Sequence, residues 1–335
     1  MKHIAKSLLF AMILILSQTG CISSTPQFIP AGAPKDTIKT VRLYSSMQEE
    51  ILMDIKKGVE SQNAGLTVEY YFASTPKILT KIITERQAGQ VSADIIWLSD
   101  AADCLLLKSD GILQKYTSPE SESISPAYLD PDGFFAGTAL VTVGIGYNTD
   151  EVTEKDVPKT WEELTDTKWR GQIVMADPGS SGSTLYAVSS LMQNDQYGPA
   201  YFKKLHDNQL TMECNTAATH SAVAKGEFKF GVMLKHTTEE LSAQGAPVAF
   251  QPLQENCRIT TISPVALIKN EGLSEQNSKL LYDYILSEDG QKILADHHMI
   301  PARGAYSNDP GIMLDSNELM KKSNDCINAF DEIFG

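Results

Sequence analysis

A run of small polar residues precedes a predicted helix in the second half of the chain. Glycines let the backbone approach a ligand closely, and serine or threonine hydroxyls donate hydrogen bonds. The free N–H groups at a helix N-terminus favour anions. We therefore predict contact with an anionic ligand, although a helix cap in a solvent-exposed loop is the alternative. The candidate residues in this run are Ser180, Ser181, Gly182, Ser183 and Thr184.

Four further places carry polar residues directly after predicted strands, where open α/β sheets bind their ligands. The alternatives here are strand-to-helix turns and ordinary N-caps. Thr75-Pro76, for example, already has the sequence of a helix start. The predicted ligand contacts at these places are Ser45, Ser46, Ser74, Thr75, Ser99, Asn215 and Thr216.

Two histidines stand near these places. His220 lies in the first turns of the helix predicted over 215–225, and His236 follows the strand predicted over 228–234. An imidazole N–H can donate to a phosphate or a phosphonate. Each histidine is therefore a candidate ligand contact, with an exposed or capped histidine as the alternative.

Catalytic motifs are absent from the sequence. Gly179-Ser-Ser-Gly is not the Gly-x-Ser-x-Gly of a nucleophile elbow. Gly144-Ile-Gly146 lacks the third glycine of a dinucleotide loop, and neither a His-Glu-x-x-His zinc motif nor a P-loop is found. We therefore predict no catalytic residue, no cofactor and no metal site, and a protein that is not an enzyme.

Composition and charge narrow the class of protein. The chain has 335 residues, of which 42% are hydrophobic, and this length allows two domains. The 42 acidic residues exceed the 28 basic ones, which gives a net charge of −14. A chain this acidic is poorly suited to neutralise phosphates, so no nucleic-acid partner is predicted. A small anionic ligand remains compatible, because locally placed donors act within a Debye length of about 8–10 Å.

The N-terminus has the layout of a signal peptide. Lys2 and Lys6 precede the apolar run 8–16, which is too short to span a membrane comfortably, and Gly20-Cys21 follows. Gly20-Cys21 resembles a bacterial lipobox, although Gln18 departs from the usual pattern. We predict a signal peptide over 1–20, lipidation of Cys21 and a flexible tether over 21–36. The alternatives are a secreted protein without lipid and an uncleaved anchor.

Four cysteines follow Cys21, and they form neither a Cys-x-x-Cys motif nor a zinc-ligand spacing. Four cysteines allow three disulfide connectivities, and free buried thiols are an equal possibility. The sequence leaves open the state of Cys104, Cys214, Cys257 and Cys326.

The body of the chain alternates predicted strands and helices, which indicates sheets covered by helices. Strands are predicted over 41–44, 66–72 and 93–97, with helices after each. A second unit of the same kind begins near Val141, and a last helix is predicted over 316–333.

Six segments, taken in order, resemble the extracellular substrate-binding proteins of ABC transporters. The relevant subgroup includes binders of ferric iron, thiamine, phosphonates and sugar phosphates. The segments are 41–50 (VRLYSSMQEE), 93–97 (ADIIW), 143–148 (VGIGYN), 160–177 (TWEELTDTKWRGQIVMAD), 177–184 (DPGSSGST) and 287–303, with its S-x-x-G-Q and P-x-R signature.

This resemblance implies an α/β, two-lobe periplasmic-binding-protein-like fold, in which each lobe is a mixed sheet covered by helices and crossover strands join the lobes. Lobe 1 would comprise 37–137 plus 262–305, and lobe 2 would comprise 138–261 plus 306–335. The protein would be exported to the periplasm or the outer cell surface and held on the membrane through Cys21. It would deliver a solute to an ABC permease and its ATPase.

The resemblance also bears on the ligand. Ferric-iron binders of this family share an adjacent tyrosine pair after the strand equivalent to 228–234, whereas 235–240 here reads KHTTEE. Thiamine would need aromatic walls, and the three tryptophans are not in evident cleft loops. The remaining hydroxyl, amide and imidazole groups suit an organophosphate or phosphonate. Ferric iron and thiamine (or its pyrophosphate) stay alternatives within the family, and a ligand-sensing partner of a membrane receptor is an alternative of another class.

The lipidation prediction is tested by Cys21→Ala. Without the thiol no lipid can be attached, so we expect the variant to move from the membrane fraction to the soluble fraction of fractionated cells. A variant that still sediments with membranes would contradict lipidation at this residue. Cys214→Ala, which leaves Cys21 in place, is the control and should stay with the membranes.

Overall fold

The computed structural model describes residues 40–254, 257–269, 273–304 and 315–335. The predicted signal peptide, the tether and Cys21 lie outside these ranges. Within the described ranges, no helix combines the length and apolar composition needed to cross a membrane.

The first part of the chain forms three parallel strands, with β1 between β2 and β3. Helices connect them because one face of each helix is apolar. In α1, for example, Ile51, Leu52, Ile55 and Val59 are all buried. The elements are β1 (Thr40–Ser45), α1 (Glu49–Gln62), β2 (Thr67–Phe72), α2 (Thr75–Gln87), β3 (Ile95–Trp97), α3 (Ala101–Ser109) and β4 (Leu113–Gln114).

Two long antiparallel strands join the halves of the molecule. They are β5 (Phe135–Asn148) and β10 (Ile259–Ile268), paired from Val143 opposite Ile259 to Phe135 opposite Ala266. The register shifts between Ser263 and Pro264, since proline has no N–H to donate to the ladder. The strands run in the order β2-β1-β3-β10-β5-β8-β6-β7, and β9 and β11 also pair with β5.

The second half repeats the alternation and adds a C-terminal helix. β6 lies parallel to β7 and β8, whereas β5 lies antiparallel to β8, so the sheet is mixed. The elements are β6 (Ile173–Ala176), α4 (Gly182–Met192), α5 (Gly198–Asp207), β7 (Thr211–Glu213), α6 (Thr216–Ala224), β8 (Phe230–Leu234), α7 (Lys235–Ala243), β9 (Val248–Gln251), α8 (Leu273–Leu286), α9 (Glu288–Asp296), β11 (Ile300–Pro301) and α10 (Ser316–Phe334).

The two halves bury separate hydrophobic cores. Tyr44 and Trp97 belong to the first core, which also takes in Ala139 to Val141 of β5. Trp161 and Phe230 belong to the second core, which begins along β5 at Val143. We call the elements around the first core lobe 1 and those around the second core lobe 2. The segment boundaries predicted from the sequence stay a prediction.

Helix α10 packs against α4 and α5 of lobe 2 and also against α3, which follows a strand of lobe 1. Leu319 and Phe330 of α10 are buried in the second core, and Ala102 of α3 belongs to the same core. The last helix therefore lies where lobe 1 borders lobe 2.

Several elements differ from the sequence-based expectation. β5 begins at Phe135, earlier than the start near Val141 predicted for the second unit, because β5 continues through the junction of the lobes. Helix α7 was not predicted: it follows β8 directly, and its N-terminus lacks a side-chain cap. Residues 162–165 form a 3₁₀ turn, and Ser74, rather than Thr75, is the N-cap of α2.

The S-x-x-G-Q and P-x-R signature of the sequence stabilises the corner between α8 and α9. Ser287 caps α9 by accepting a hydrogen bond from the N–H of Gly290 over 3.3 Å. Gln291 donates to the carbonyl of Ile285 over 3.0 Å and accepts from the N–H of Arg303 over 3.0 Å. A Cβ at Gly290 would lie 2.1 Å from the carbonyl oxygen of Tyr284. The signature thus has a structural role, with a glycine where α8 leaves no room.

Gly290→Ala should destabilise the protein, because the added methyl meets backbone that cannot rotate away. We expect the free energy of unfolding to fall by about 1–3 kcal/mol, measured by urea denaturation. Lys292→Ala, on the exposed face of the same helix, should change it by less than about 0.5 kcal/mol. If Gly290→Ala is as stable as the unmodified protein, α8 and α9 do not approach each other as closely as described.

Candidate functional site

Three hydroxyls of lobe 1 meet beyond the carboxyl ends of β1, β2 and β3. The Thr75 hydroxyl donates to Ser46 Oγ over 2.9 Å, and its Oγ1 lies 2.9 Å from Ser99 Oγ. Thr75 is buried, and the two serines are partly buried. We call these three residues the lobe-1 hydroxyl cluster; they stand at the starts of α1, α2 and α3.

Four hydroxyls of lobe 2 meet beyond β6 and β7, at the starts of α4 and α6. Ser181 Oγ is their centre: it accepts from the Thr184 hydroxyl over 2.9 Å and from the Thr184 N–H over 3.3 Å. It also lies 2.9 Å from Thr216 Oγ1 and 3.3 Å from Ser183 Oγ. We call Ser181, Ser183, Thr184 and Thr216 the lobe-2 hydroxyl cluster.

Gly182 brings the two clusters together. A Cβ at this position would lie 2.5 Å from Ser99 Oγ and 3.3 Å from Thr75 Oγ1. A methyl group here would displace the Ser99 hydroxyl, so glycine lets lobe 2 approach lobe 1 with both clusters in place. The structure therefore brings together eight of the residues predicted from the sequence, in one contact between the lobes.

The other predicted hydroxyls and amides mostly bond to nearby protein groups. Ser45 donates to the carbonyl of Trp97 over 3.0 Å and accepts from the Met47 N–H. Ser180 donates to the carbonyls of Asp177 and Cys214, and Asn215 caps α6 by accepting from the Ala218 N–H. Ser74 caps α2 through its backbone conformation, without a side-chain hydrogen bond to that helix.

His220 is held by the backbone. Its Nδ1 lies 2.7 Å from the carbonyl oxygen of Thr216, and its Nε2 accepts from the Leu234 N–H over 3.2 Å. Burial lowers the pKa of His220, so the ring is neutral at pH 7. With both ring nitrogens engaged, His220 ties α6 to β8 instead of pointing a donor at a ligand.

Unlike His220, His236 has a ring that is not held by the backbone of the described residues. It lies in the first turn of α7, only 5% of its surface is exposed, and no described residue forms a hydrogen bond with its ring. Burial lowers its pKa to about 3, and repulsion from the protonated forms of His220, Lys235, His297 and His298 acts in the same direction. His236 is therefore a neutral imidazole at pH 7, with one donor and one acceptor nitrogen free.

All four later cysteines are described, and no disulfide joins Cys104, Cys214, Cys257 or Cys326 to another cysteine. Cys214 is exposed and precedes the start of α6, whereas Cys104 and Cys326 are buried. Burial raises the pKa of both buried thiols, so they are unreactive at pH 7.

Comparison with known proteins assigns this chain to a family. The family model of bacterial extracellular solute-binding proteins matches residues 92–321, more than half of the chain. The chain belongs to this family. An uncharacterised protein of Haemophilus influenzae is 29% identical over 223 residues, which span 62% of each of the two chains.

Solved structures of solute-binding proteins share the fold. Iron-bound HitA of Pseudomonas aeruginosa is 19% identical, with a TM-score of 0.74 over 88% of this chain and 99% of HitA. AfuA of Actinobacillus pleuropneumoniae, with fructose 6-phosphate bound, is 22% identical, with a TM-score of 0.75 over 88% of this chain and 97% of AfuA. The family resemblance and the two-lobe fold predicted from the sequence are both confirmed.

This solute-binding protein also has a pair of carboxyl groups where α3 borders lobe 2. Asp100 caps α3, with its Oδ1 accepting from the Ala102 N–H over 2.8 Å, and it is hydrogen-bonded to Asp103. Burial raises the pKa of Asp100 to about 6. Burial, and then the Asp100 charge, raise the pKa of Asp103 well above its usual range. Burial and the neighbouring Asp100 carboxylate thus both favour the protonated form of Asp103.

The sequence did not reveal several groups whose surroundings depend on the fold. Asp103 reads as an ordinary first-turn acid of α3, and Gln48 reads as the start of α1. Glu240 follows a strand without any motif that marks it. Gln48 and Glu240 meet although they are far apart in the chain, and Asp103 is affected first by burial. Local spacing gives no signal for either effect.

Asp103→Asn should reveal the pair as a pH dependence of stability. The folded-state pKa of Asp100 exceeds the usual 3.8, so the folded protein binds more protons between about pH 4 and pH 6. The free energy of unfolding therefore falls as the pH rises through that window. Asparagine at this position does not titrate and stays neutral at every pH, so we expect a flatter pH profile and a gain of about 1–2 kcal/mol at pH 7.5.

Urea denaturation at pH 4.5, 6.0 and 7.5 measures this difference. The control is Asp110→Asn, at the exposed end of the same helix, which should keep the profile of the unmodified protein. Identical profiles for Asp103→Asn and the unmodified protein would show that the two carboxyl groups do not share a proton.

Proposed function

We propose that this protein is the solute receptor of an ABC importer, which captures a small phosphorylated or phosphonylated solute between its lobes and delivers it to a membrane permease and its ATPase. The observation that carries this proposal is the facing of two hydroxyl clusters, one from each lobe, at the starts of helices. Export and anchoring through Cys21 would place the receptor at the membrane surface beside the permease.

Helix starts and hydroxyls suit a phosphoryl group for a physical reason. The starts of α2, α3, α4 and α6 lie beyond the strands, and the helix dipole favours a negative charge there. Several hydroxyl donors can then each bond one of the oxygens. The net charge of −14 does not oppose this, because the donors act at contact distance.

The free imidazole of His236 supplies a further group in the same region. A neutral ring offers a donor and an acceptor together, so it can bond a protonated phosphate oxygen or a hydroxyl of the organic part. We therefore include His236 among the ligand contacts, with the hydroxyl clusters, and assign His220 a structural role.

Ferric iron is the second candidate, because HitA is described as iron-bound. Two features of this chain weigh against it. The segment after β8 begins Lys235-His236-Thr237, without the tyrosines that provide hard anionic oxygens. Among the residues that the structure describes, no group of three or more His, Cys, Asp or Glu side chains is arranged to hold a metal ion. The hydroxyl groups of the two clusters are neutral donors, which suit an anion better than a cation.

Calorimetry with a panel of solutes tests the proposal. We expect binding of at least one among hexose phosphates, glycerol 3-phosphate, aminoethylphosphonate and inorganic phosphate, and none of ferric citrate. A solute at 100 times its dissociation constant should stabilise the fold by about 2.7 kcal/mol, seen as a higher melting temperature. If no solute of the panel binds, or if iron alone binds tightly, the proposal is wrong.

Within the same experiment, Ser183→Ala should weaken binding of the solute by about 1–3 kcal/mol, because a buried donor to the anion is lost. Ser181→Ala should do the same and should also cost the cap of α4. The matched control is Ser190→Ala in the same helix, since this hydroxyl bonds only to the carbonyl of Tyr186. If Ser181→Ala and Ser183→Ala both bind the solute as tightly as the unmodified protein, this loop is not part of the binding site.

A further inference from the structure

The lobes also touch at a second place, where α7 of lobe 2 meets α1 of lobe 1. Gln48, the N-cap residue of α1, donates through Nε2 to Thr237 Oγ1 and to Glu240 Oε2, each over 3.2 Å. Both acceptors lie on α7. Gln48 directly follows the loop Ser45–Met47 of lobe 1, and its side chain is therefore bonded to lobe 2.

His297 reaches the same carboxylate from another element of lobe 1. It ends α9, with its Nε2 3.0 Å from Asp54 Oδ2 of α1 and its Nδ1 3.7 Å from Glu240 Oε1. The Asp54 carboxylate orients the ring, so that the second nitrogen points towards lobe 2. The C-terminus of a helix also favours a positive charge at this position.

Glu240 is thus the residue of lobe 2 on which two groups of lobe 1 converge. The side chains of His297 and Glu240 are only 16% and 18% exposed, so water and salt screen this pair less than a surface pair. The neighbouring Glu239 makes no such contact: its carboxylate pairs with Lys235 one turn earlier in α7.

These contacts join two rigid bodies and break when the lobes separate. An interaction made in one conformation and lost in the other shifts the equilibrium towards the first. Separation of the lobes is also the step that releases a solute held between them, so such contacts slow dissociation more than they affect association.

We propose that Gln48, His297 and Glu240 form an interlobe clasp that favours the closed form, with Glu240 as a positioning residue that does not touch the solute. The clasp acts on the conformation of the empty protein as well as on the loaded one. Only its effect on solute release depends on the function proposed above.

Glu240→Ala tests the clasp in two ways. In small-angle X-ray scattering of the solute-free protein, we expect a larger radius of gyration for the variant than for the unmodified protein. In stopped-flow measurements with glycerol 3-phosphate, we expect dissociation to be about 5- to 10-fold faster and association to change by less than about twofold, as for the loss of one hydrogen-bonded contact.

Two variants separate the clasp from a general effect on α7. Glu239→Ala removes the same charge from the same helix, and should leave both the radius and the dissociation rate as in the unmodified protein. Glu240→Gln keeps an oxygen that accepts from Gln48 and loses the charge facing His297. The increases in the radius of gyration and in the dissociation rate should therefore be smaller for Glu240→Gln than for Glu240→Ala.

The clasp is refuted if Glu240→Ala scatters like the unmodified protein, or if Glu239→Ala opens the protein equally. Failure of glycerol 3-phosphate to bind counts against the function proposed above or its choice of solute. The scattering comparison needs no solute, so it still decides the clasp in that case.

Discussion

The crossing of β5 and β10 between the lobes is the constraint on which the rest of the structure depends. Polar groups at this crossing are fully buried and bonded to one another. Trp97 Nε1 donates to Thr138 Oγ1 over 2.9 Å, and the Thr138 hydroxyl donates to the carbonyl of Ser263 over 2.8 Å. The Ser263 hydroxyl in turn donates to the carbonyl of Leu98 over 2.6 Å. Because an unpaired buried polar group is costly, this network favours one arrangement of the strands at the junction.

The same crossing determines where the hydroxyl clusters lie. β3 pairs with β10, and β8 pairs with β5, so the lobe sheets meet through these two strands. Ser99 follows β3 closely, and Leu98, just before it, bonds to both Pro264 and Ser263 of β10. The lobe-1 cluster is therefore anchored to the junction itself. Movement of lobe 2 about the junction can change the distance between the clusters while the geometry within each cluster is kept.

Alternation of strands and helices was enough to predict most of the hydroxyl groups that face the other lobe. Thr75, Ser99, Ser181 and Thr216 all follow strands, and the carboxyl ends of parallel strands lie at one edge of their sheet. The same argument selected Ser45 and His220, whose polar atoms bond to Trp97 and to the backbone of α6 and β8. Local spacing places a residue at the correct edge, but only tertiary contacts decide whether its polar atoms remain available.

Helix α7 marks the other limit of sequence-based reasoning. Its first turn contains β-branched threonines and no capping side chain, so local propensity did not predict it. Tertiary packing compensates: α7 lies against β5 and β9, with Thr238 fully buried. The groups on α7 that face lobe 1, including Glu240, could not be recognised without that packing.

The two contacts between the lobes limit where a solute can lie. Gly182 closes directly on Ser99 and Thr75, and leaves no room there for even a methyl group. Gln48 reaches Thr237 and Glu240 at the other contact. The short loop from Ser46 to Gln48 connects the two contacts, since Ser46 bonds to Thr75 and Gln48 bonds to α7. For the function proposed above, we expect a solute bonded to both clusters to lie along this loop, with the free imidazole of His236 beside Thr237. A small, compact solute fits this constraint better than an extended one.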